Sequence, residues 1–143
     1  MTCITWEPYS AAHSRSIGNE RGDLVLARTN DTYGTIFGHF NKYTNLGYFA
    51  WDNAYFTTAA ADMLTVHAAC VTVWMPYVAL EEIPDGAVEE GVLADGTVVY
   101  IARMEEQGVK LFGYYPYGSD VGLYECEGYA KSTASMYLLV AMY

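Results

Sequence analysis

Three histidines (His13, His39, His67), three cysteines (Cys3, Cys70, Cys126) and seventeen carboxylates are the side chains whose types could do chemistry in this 143-residue chain. A zinc site needs His and Cys ligands at short fixed spacings, and no pair here has them. Nucleophilic catalysis needs an activated nucleophile beside a base, and no cysteine sits in an evident context of that kind. Glu89-Glu90 and Glu105-Glu106 are adjacent in sequence. On strands such neighbours point to opposite faces, so neither pair can flank a glycosidic bond. Gly118-Ser119 lacks the lysine of a phosphate loop. The expectation is a chain with no catalytic residues, no metal site and no cofactor, and therefore not an enzyme.

The better signal is that the chain repeats itself. Trp6-Glu7-Pro8-Tyr9-Ser10-Ala11 is echoed by Trp74-Met75-Pro76-Tyr77-Val78-Ala79. From Leu24 to Ala68 the two copies align without a gap at an offset of 75 residues. Ala27/Ala102, Arg28/Arg103, Phe37/Phe112, Gly38/Gly113, Gly47/Gly122, Thr58/Thr133, Ala59/Ala134 and Leu64/Leu139 are identical pairs. Those matches exceed the roughly three that chance composition would give, and they share one register. A duplicated unit implies two similar surfaces, so a binding site is expected twice, in drifted forms. The expected units are residues 3–68 and 70–143, packed as one body, because about 70 residues alone make a marginal core.

Arg28 and Arg103 end equivalent strands, where each could form an ion pair or offer its fork to a ligand. Trp6 and Trp74 open the copies as core anchors or as sugar-stacking platforms. Gly38 and Gly113 follow an aromatic residue, where a small residue permits a bulge or a close backbone approach. His39 stands where the second copy has Tyr114, which cannot do a histidine's proton chemistry near neutral pH.

The elements that must position these residues read as strands throughout. Thr97-Val98-Val99-Tyr100-Ile101-Ala102-Arg103 is β-branched and aromatic, and Asp95-Gly96 before it is a hairpin signal. Leu24 to Arg28 matches it in the first copy. Tyr33 to Phe40, Val109 to Tyr115, Phe49 to Phe56, Leu123 to Cys126, Met63 to Val66 and Tyr137 to Met142 are further strands. Thr57 to Leu64 reads as a loop or single turn feeding the last strand of its copy. Strand runs of five to eight residues at short intervals predict an all-β fold of small antiparallel sheets. With no Pro- or Ser-rich linker between His67 and Trp74, the copies are expected to join through continuous sheet.

Composition narrows the partners. The net charge is −10, with four Lys/Arg against six Asp/Glu in residues 1–70 and three against eleven in residues 71–143. Nucleic acid needs a basic footprint, which is lacking, so it is excluded as a partner. No apolar run reaches the roughly 18 residues of a membrane span, so no membrane insertion is expected. No signal peptide is visible, which points to a cytoplasmic or non-classically secreted protein. The odd cysteine count argues for reduced, buried thiols, with a Cys3–Cys70 bridge as the open alternative. Fourteen tyrosines suit sugar stacking and protein contact alike.

One segment carries a family resemblance. Ile83-Pro84-Asp85-Gly86-Ala87-Val88, Gly91, and then Asp95 to Arg103 resemble the start of a DM9 repeat, and Tyr137-Leu138-Leu139-Val140 is similar to its close. A leading Trp and two tandem units of about 70 residues agree with that. The resemblance implies an all-β fold and metal-independent binding of mannose-type glycans, often by a dimer. It implies sugar contacts from an acidic residue before the Tyr-x-x-x-Arg strand, here Glu20 and Asp95. It implies a lysine in a Pro-Gly-Lys motif, where this chain has Phe37-Gly38-His39 and Phe112-Gly113-Tyr114. A later Gly-Lys-Glu segment is represented by Gly128-Tyr129-Ala130-Lys131.

The expected carbohydrate-binding set is therefore Glu20, Arg28, His39, Asp95, Arg103, Tyr114 and Lys131. The competing reading is a structural β-protein that self-assembles into oligomers or filaments by pairing Val71-Thr72-Val73 and Leu138 to Tyr143 between chains. Either reading expects a homo-oligomer.

Overall fold

A computed structural model describes residues 3–8, 17–19 and 22–142. They form thirteen strands, and no helix is found among the described residues. In the first half these are β1 (Ile4–Pro8), β2 (Leu24–Asp31), β3 (Gly34–Asn41), β4 (Leu46–Trp51), β5 (Ala54–Thr58) and β6 (Asp62–Val66). In the second they are β7 (Val71–Val78), β8 (Gly91–Val92), β9 (Val98–Glu106), β10 (Val109–Pro116), β11 (Gly122–Cys126), β12 (Tyr129–Thr133) and β13 (Ser135–Met142).

The strands build two antiparallel sheets. The first has the order β1-β6-β2-β3-β4-β5, and the second β7-β13-β9-β10-β11-β12, with β8 added beside β9. The succession is the same in both, so the duplication in sequence is a duplication of topology. Register follows it too: Leu26 pairs with His39 in the first sheet, as Ile101 pairs with Tyr114 in the second.

Paired residues share a face. Leu26, Phe37 and Leu64 therefore lie on one face of the first sheet, and Ile101, Phe112 and Leu139 on the matching face of the second. All six are fully or almost fully buried and meet in one cluster between the sheets. Burial of each such side chain stabilises the fold by about 1.5–3 kcal/mol. β3 lies against β10, β4 against β11 and β5 against β12. The other face of the second sheet buries Tyr77, Tyr100, Met104, Tyr115, Tyr124 and Leu138 in a cluster of its own. The sheets thus join face to face rather than through continuous sheet. The expectation failed because residues 67–70 turn: the Cys70 N–H donates to the His67 carbonyl, and the His67 N–H to that of Cys3.

That turn also brings Cys3 and Cys70 together in a disulfide, with Cα atoms 5.6 Å apart. The expectation of reduced thiols is overturned for this pair, and Cys126 alone is free. The 49–56 run is not one strand. It breaks at Asp52, which adopts a φ of 55°, into the hairpin of β4 and β5. β12 escaped the sequence reading because Tyr129-Ala130-Lys131-Ser132-Thr133 shows no apolar alternation.

Both paired glycines are sites of close approach. A Cβ on Gly38 would stand 2.2 Å from the Tyr48 carbonyl oxygen, and one on Gly113 2.1 Å from that of Leu123. Only hydrogen fits at these positions, which lets β4 and β11 cross close to β3 and β10.

Candidate functional site

A cavity of about 370 Å³ opens where the two sheets meet. From the first sheet it is lined by Asp23, His39, Asn41 and Tyr48, and from the second by Glu106, Glu125, Cys126 and the hairpin tips Gln107 and Glu127-Gly128, among others. The tips belong to tight turns between β9 and β10 and between β11 and β12. Gln107 and Glu127 have φ near +50°, and Gly108 and Gly128 near +80°. Two consecutive left-handed residues give the turn whose twist matches the flanking strands. A non-glycine residue held there is strained, and such strain gathers at binding sites.

At the floor of the cavity the sheets are bridged by one buried pair. His39 Nε2 donates to Glu125 Oε2 at 3.1 Å, and both side chains are about 95% buried. The Tyr48 ring stacks on the imidazole with centroids 5.5 Å apart. Glu125 Oε1 accepts the Gly128 N–H at 3.0 Å. Burial alone would raise the Glu125 carboxyl. The hydrogen bonds from His39 and Gly128 and the charge of the imidazole outweigh it and hold the group below the ordinary range. His39 Nδ1 is buried and makes no hydrogen bond.

On the second-sheet wall, Lys131 Nζ donates to Glu106 Oε1, and the Tyr124 hydroxyl donates to Oε2 at 3.0 Å. The lysine is the main reason that Glu106 titrates below its usual range. Burial, with Glu106 nearby, pushes the Cys126 thiol up, so it is not an activated nucleophile. Among the described residues, no group of three or more His, Cys, Asp or Glu is placed to hold a metal ion. The arrangement offers fixed carboxylate acceptors, an amphipathic ring and an imidazole. That suits a polyhydroxylated ligand better than a reaction.

The equivalent place in the second copy is closed. Tyr114 stands for His39 and Ala50 for Glu125, and the Tyr114 hydroxyl donates to the Ala50 carbonyl at 2.8 Å. Tyr114 is fully buried, and that burial raises its phenol well above the usual tyrosine range. The segment after β8 straps the first copy's β2–β3 turn: Leu93 bridges to Gly34, and the Ala94 N–H donates to the Tyr33 carbonyl. Glycine is needed at 34, because a Cβ there would lie 2.5 Å from the Val92 oxygen.

With that geometry in view, the sequence comparisons are informative. A sequence model of the DM9 repeat matches residues 19–130. The chain belongs to the DM9 repeat family. No curated protein matches it.

In this DM9 chain the sequence-predicted site residues fall in different places. His39 lines the cavity, and Lys131 reaches it through Glu106. Glu20 lies outside the described residues. Asp95 sits on an exposed turn, where its carboxylate accepts the Thr97 N–H at 2.9 Å and is lowered in pKa by it. Tyr114 is the plug of the closed copy. Arg28 stacks over Trp6 at 4.7 Å and faces Asp62 at 3.8 Å. Arg103 stacks over Trp74 at 5.2 Å and over Tyr137 at 4.5 Å. Each Trp lies in turn against Phe37 or Phe112. Arg28, Asp95, Arg103 and Tyr114 do not line the cavity.

The sequence reading missed Asp23, Tyr48, Glu106 and Glu125. One signal could have found Glu125: a carboxylate inside Leu123-Tyr124-Glu125-Cys126, where the first copy has Ala50.

Proposed function

We propose that this DM9 chain is a metal-independent carbohydrate-binding protein, not an enzyme, and that its sugar site is the cavity between the sheets. The observation that carries the reading is the cavity itself, with the buried His39–Glu125 pair at its floor and Tyr48 beside it. Carboxylates accept hydrogen bonds from sugar hydroxyls, and an aromatic face stacks on a pyranose ring. The chain is then two DM9-like repeats, 3–68 and 70–143, with the family lysine replaced by His39 in the open copy and by Tyr114 in the closed one. One site per chain follows, and oligomers would gain strength through avidity.

Titration calorimetry with mannose-type oligosaccharides and a wider sugar panel, in the presence of EDTA, tests this. Binding at a stoichiometry of one per chain, weakened by Tyr48→Ala, supports it. Binding lost on adding EDTA, or left intact by Tyr48→Ala, refutes the site.

Self-assembly is the second reading. The edge strand β7 exposes Val71, Val73, Met75 and Val78, which favours contact between copies. Two features weigh against strand pairing. β13 is flanked by β7 and β9, so Leu138 to Met142 is not a free edge. Pro76 deprives β7 of a donor. Size-exclusion chromatography separates the readings.

A further inference from the structure

We infer that the saccharide accepted by this cavity carries a protonated amine. The inference rests on the carbohydrate reading above and names the ligand class of that site.

Four carboxylates line the cavity from separate elements: Asp23 ahead of β2, Glu106 at the end of β9, Glu125 within β11 and Glu127 at the β11–β12 turn. No lysine or arginine lines it. The cations that touch these carboxylates at the site are Lys131, on Glu106, and His39, on Glu125. Counting both as charged still leaves four negative charges against two positive. The surrounding half-chain deepens this field, since residues 71–143 carry three Lys/Arg against eleven Asp/Glu. A cavity lined by one sign of charge concentrates ligands of the other.

A second observation points independently to a ligand. His39 is 5% exposed, lines the cavity, and has its Nδ1 unpaired. A buried polar atom without a partner is costly and calls for one. The Tyr48 face stacked on that imidazole can also receive a cation.

The three sugar classes then rank by charge. A uronate, sulfated or sialylated sugar meets repulsion. A neutral hexose gains hydrogen bonds but leaves the excess negative charge uncompensated. An amino sugar gains the same hydrogen bonds, and its ammonium donates three more in a charge-assisted geometry.

The test is titration calorimetry of the full chain with a glucosamine tetramer, its fully N-acetylated counterpart and a mannose tetramer, each at low and high salt. The expected result is binding of the glucosamine tetramer about tenfold or more tighter than of the other two, with that advantage shrinking in high salt. Asp23→Asn and Glu127→Gln, checked for unchanged thermal melting, should each weaken the glucosamine tetramer about three- to tenfold and leave the acetylated one unchanged. If the acetylated or mannose tetramer binds as well as the amine, the inference falls and the carbohydrate reading stands. If none of the three binds, both fall. If the amine binds but neither substitution weakens it, the polycation is coating the acidic surface elsewhere, and the inference falls.

Discussion

The chain carries its own control for the buried His39–Glu125 pair, because the second copy solves the same position with Tyr114 and the Ala50 carbonyl. Glu125→Ala removes the acceptor of both His39 Nε2 and the Gly128 N–H. Breaking a buried charged pair in this way costs about 3–5 kcal/mol. His39→Tyr alone leaves Glu125 without its imidazole and costs about 2 kcal/mol or more. The double variant rebuilds the second copy's arrangement, with a tyrosine hydroxyl donating to the carbonyl at 125. A cavity of about 370 Å³ leaves room for the larger ring. The double should therefore lie within about 1 kcal/mol of the natural protein, giving a coupling energy of about 3 kcal/mol or more between the sites. Urea denaturation measures this directly. In thermal melts Glu125→Ala should fall by about 6–20 °C and the double by no more than about 4 °C. The double should also lose ligand binding while remaining folded. Additive single effects, with coupling below about 0.5 kcal/mol, would refute the claim that the two positions form one unit and that the copies are interchangeable frames.

Three further outcomes follow from the geometry. The Cys3–Cys70 bridge closes a separation of 67 residues, so Cys3→Ser/Cys70→Ser should lose about 4 kcal/mol by loop entropy, and a urea-denaturation loss below about 1 kcal/mol would contradict that account. Glu125 and Glu106 titrate below their ordinary 4.5 in the folded chain; the stability they contribute is complete above that value and lost as pH falls through their folded values, so urea midpoints should hold near neutrality and drop in acid. Tyr124 is pushed up to about 12 from 10.0 by burial and by its bond to Glu106, so stability should also decline as pH rises above 10.0, and tyrosine absorbance should show this ring ionising late. Gly38→Ala and Gly113→Ala each drive a methyl into a backbone oxygen about 2 Å away and should each cost about 3 kcal/mol or prevent folding. Melting unchanged by either would mean that the neighbouring strand yields freely.

The sequence by itself determined the local and the repeated features. Period-two runs such as Val98 to Arg103 became strands, Asp95-Gly96 became a turn, and the offset of 75 residues aligned the two sheets strand for strand. Gly38 and Gly113 were legible as close approaches because an absent side chain after an aromatic residue has few other uses. The DM9 resemblance held because it rested on the same local pattern. What the sequence could not determine is which faces meet. Alternation tells that His39 and Leu26 share a face but not what stands opposite, and the repeat offset links equivalent residues, not touching ones. His39 touches Glu125, not Tyr114. The site was therefore decided by sheet stacking, which brings Asp23, Tyr48, Glu106 and Glu125 to one cavity while leaving Asp95 on an outer turn and Arg28 and Arg103 against tryptophans. The bridge between Cys3 and Cys70 was decided the same way, because the turn at residues 67–70 sends the second sheet back over the first instead of alongside it.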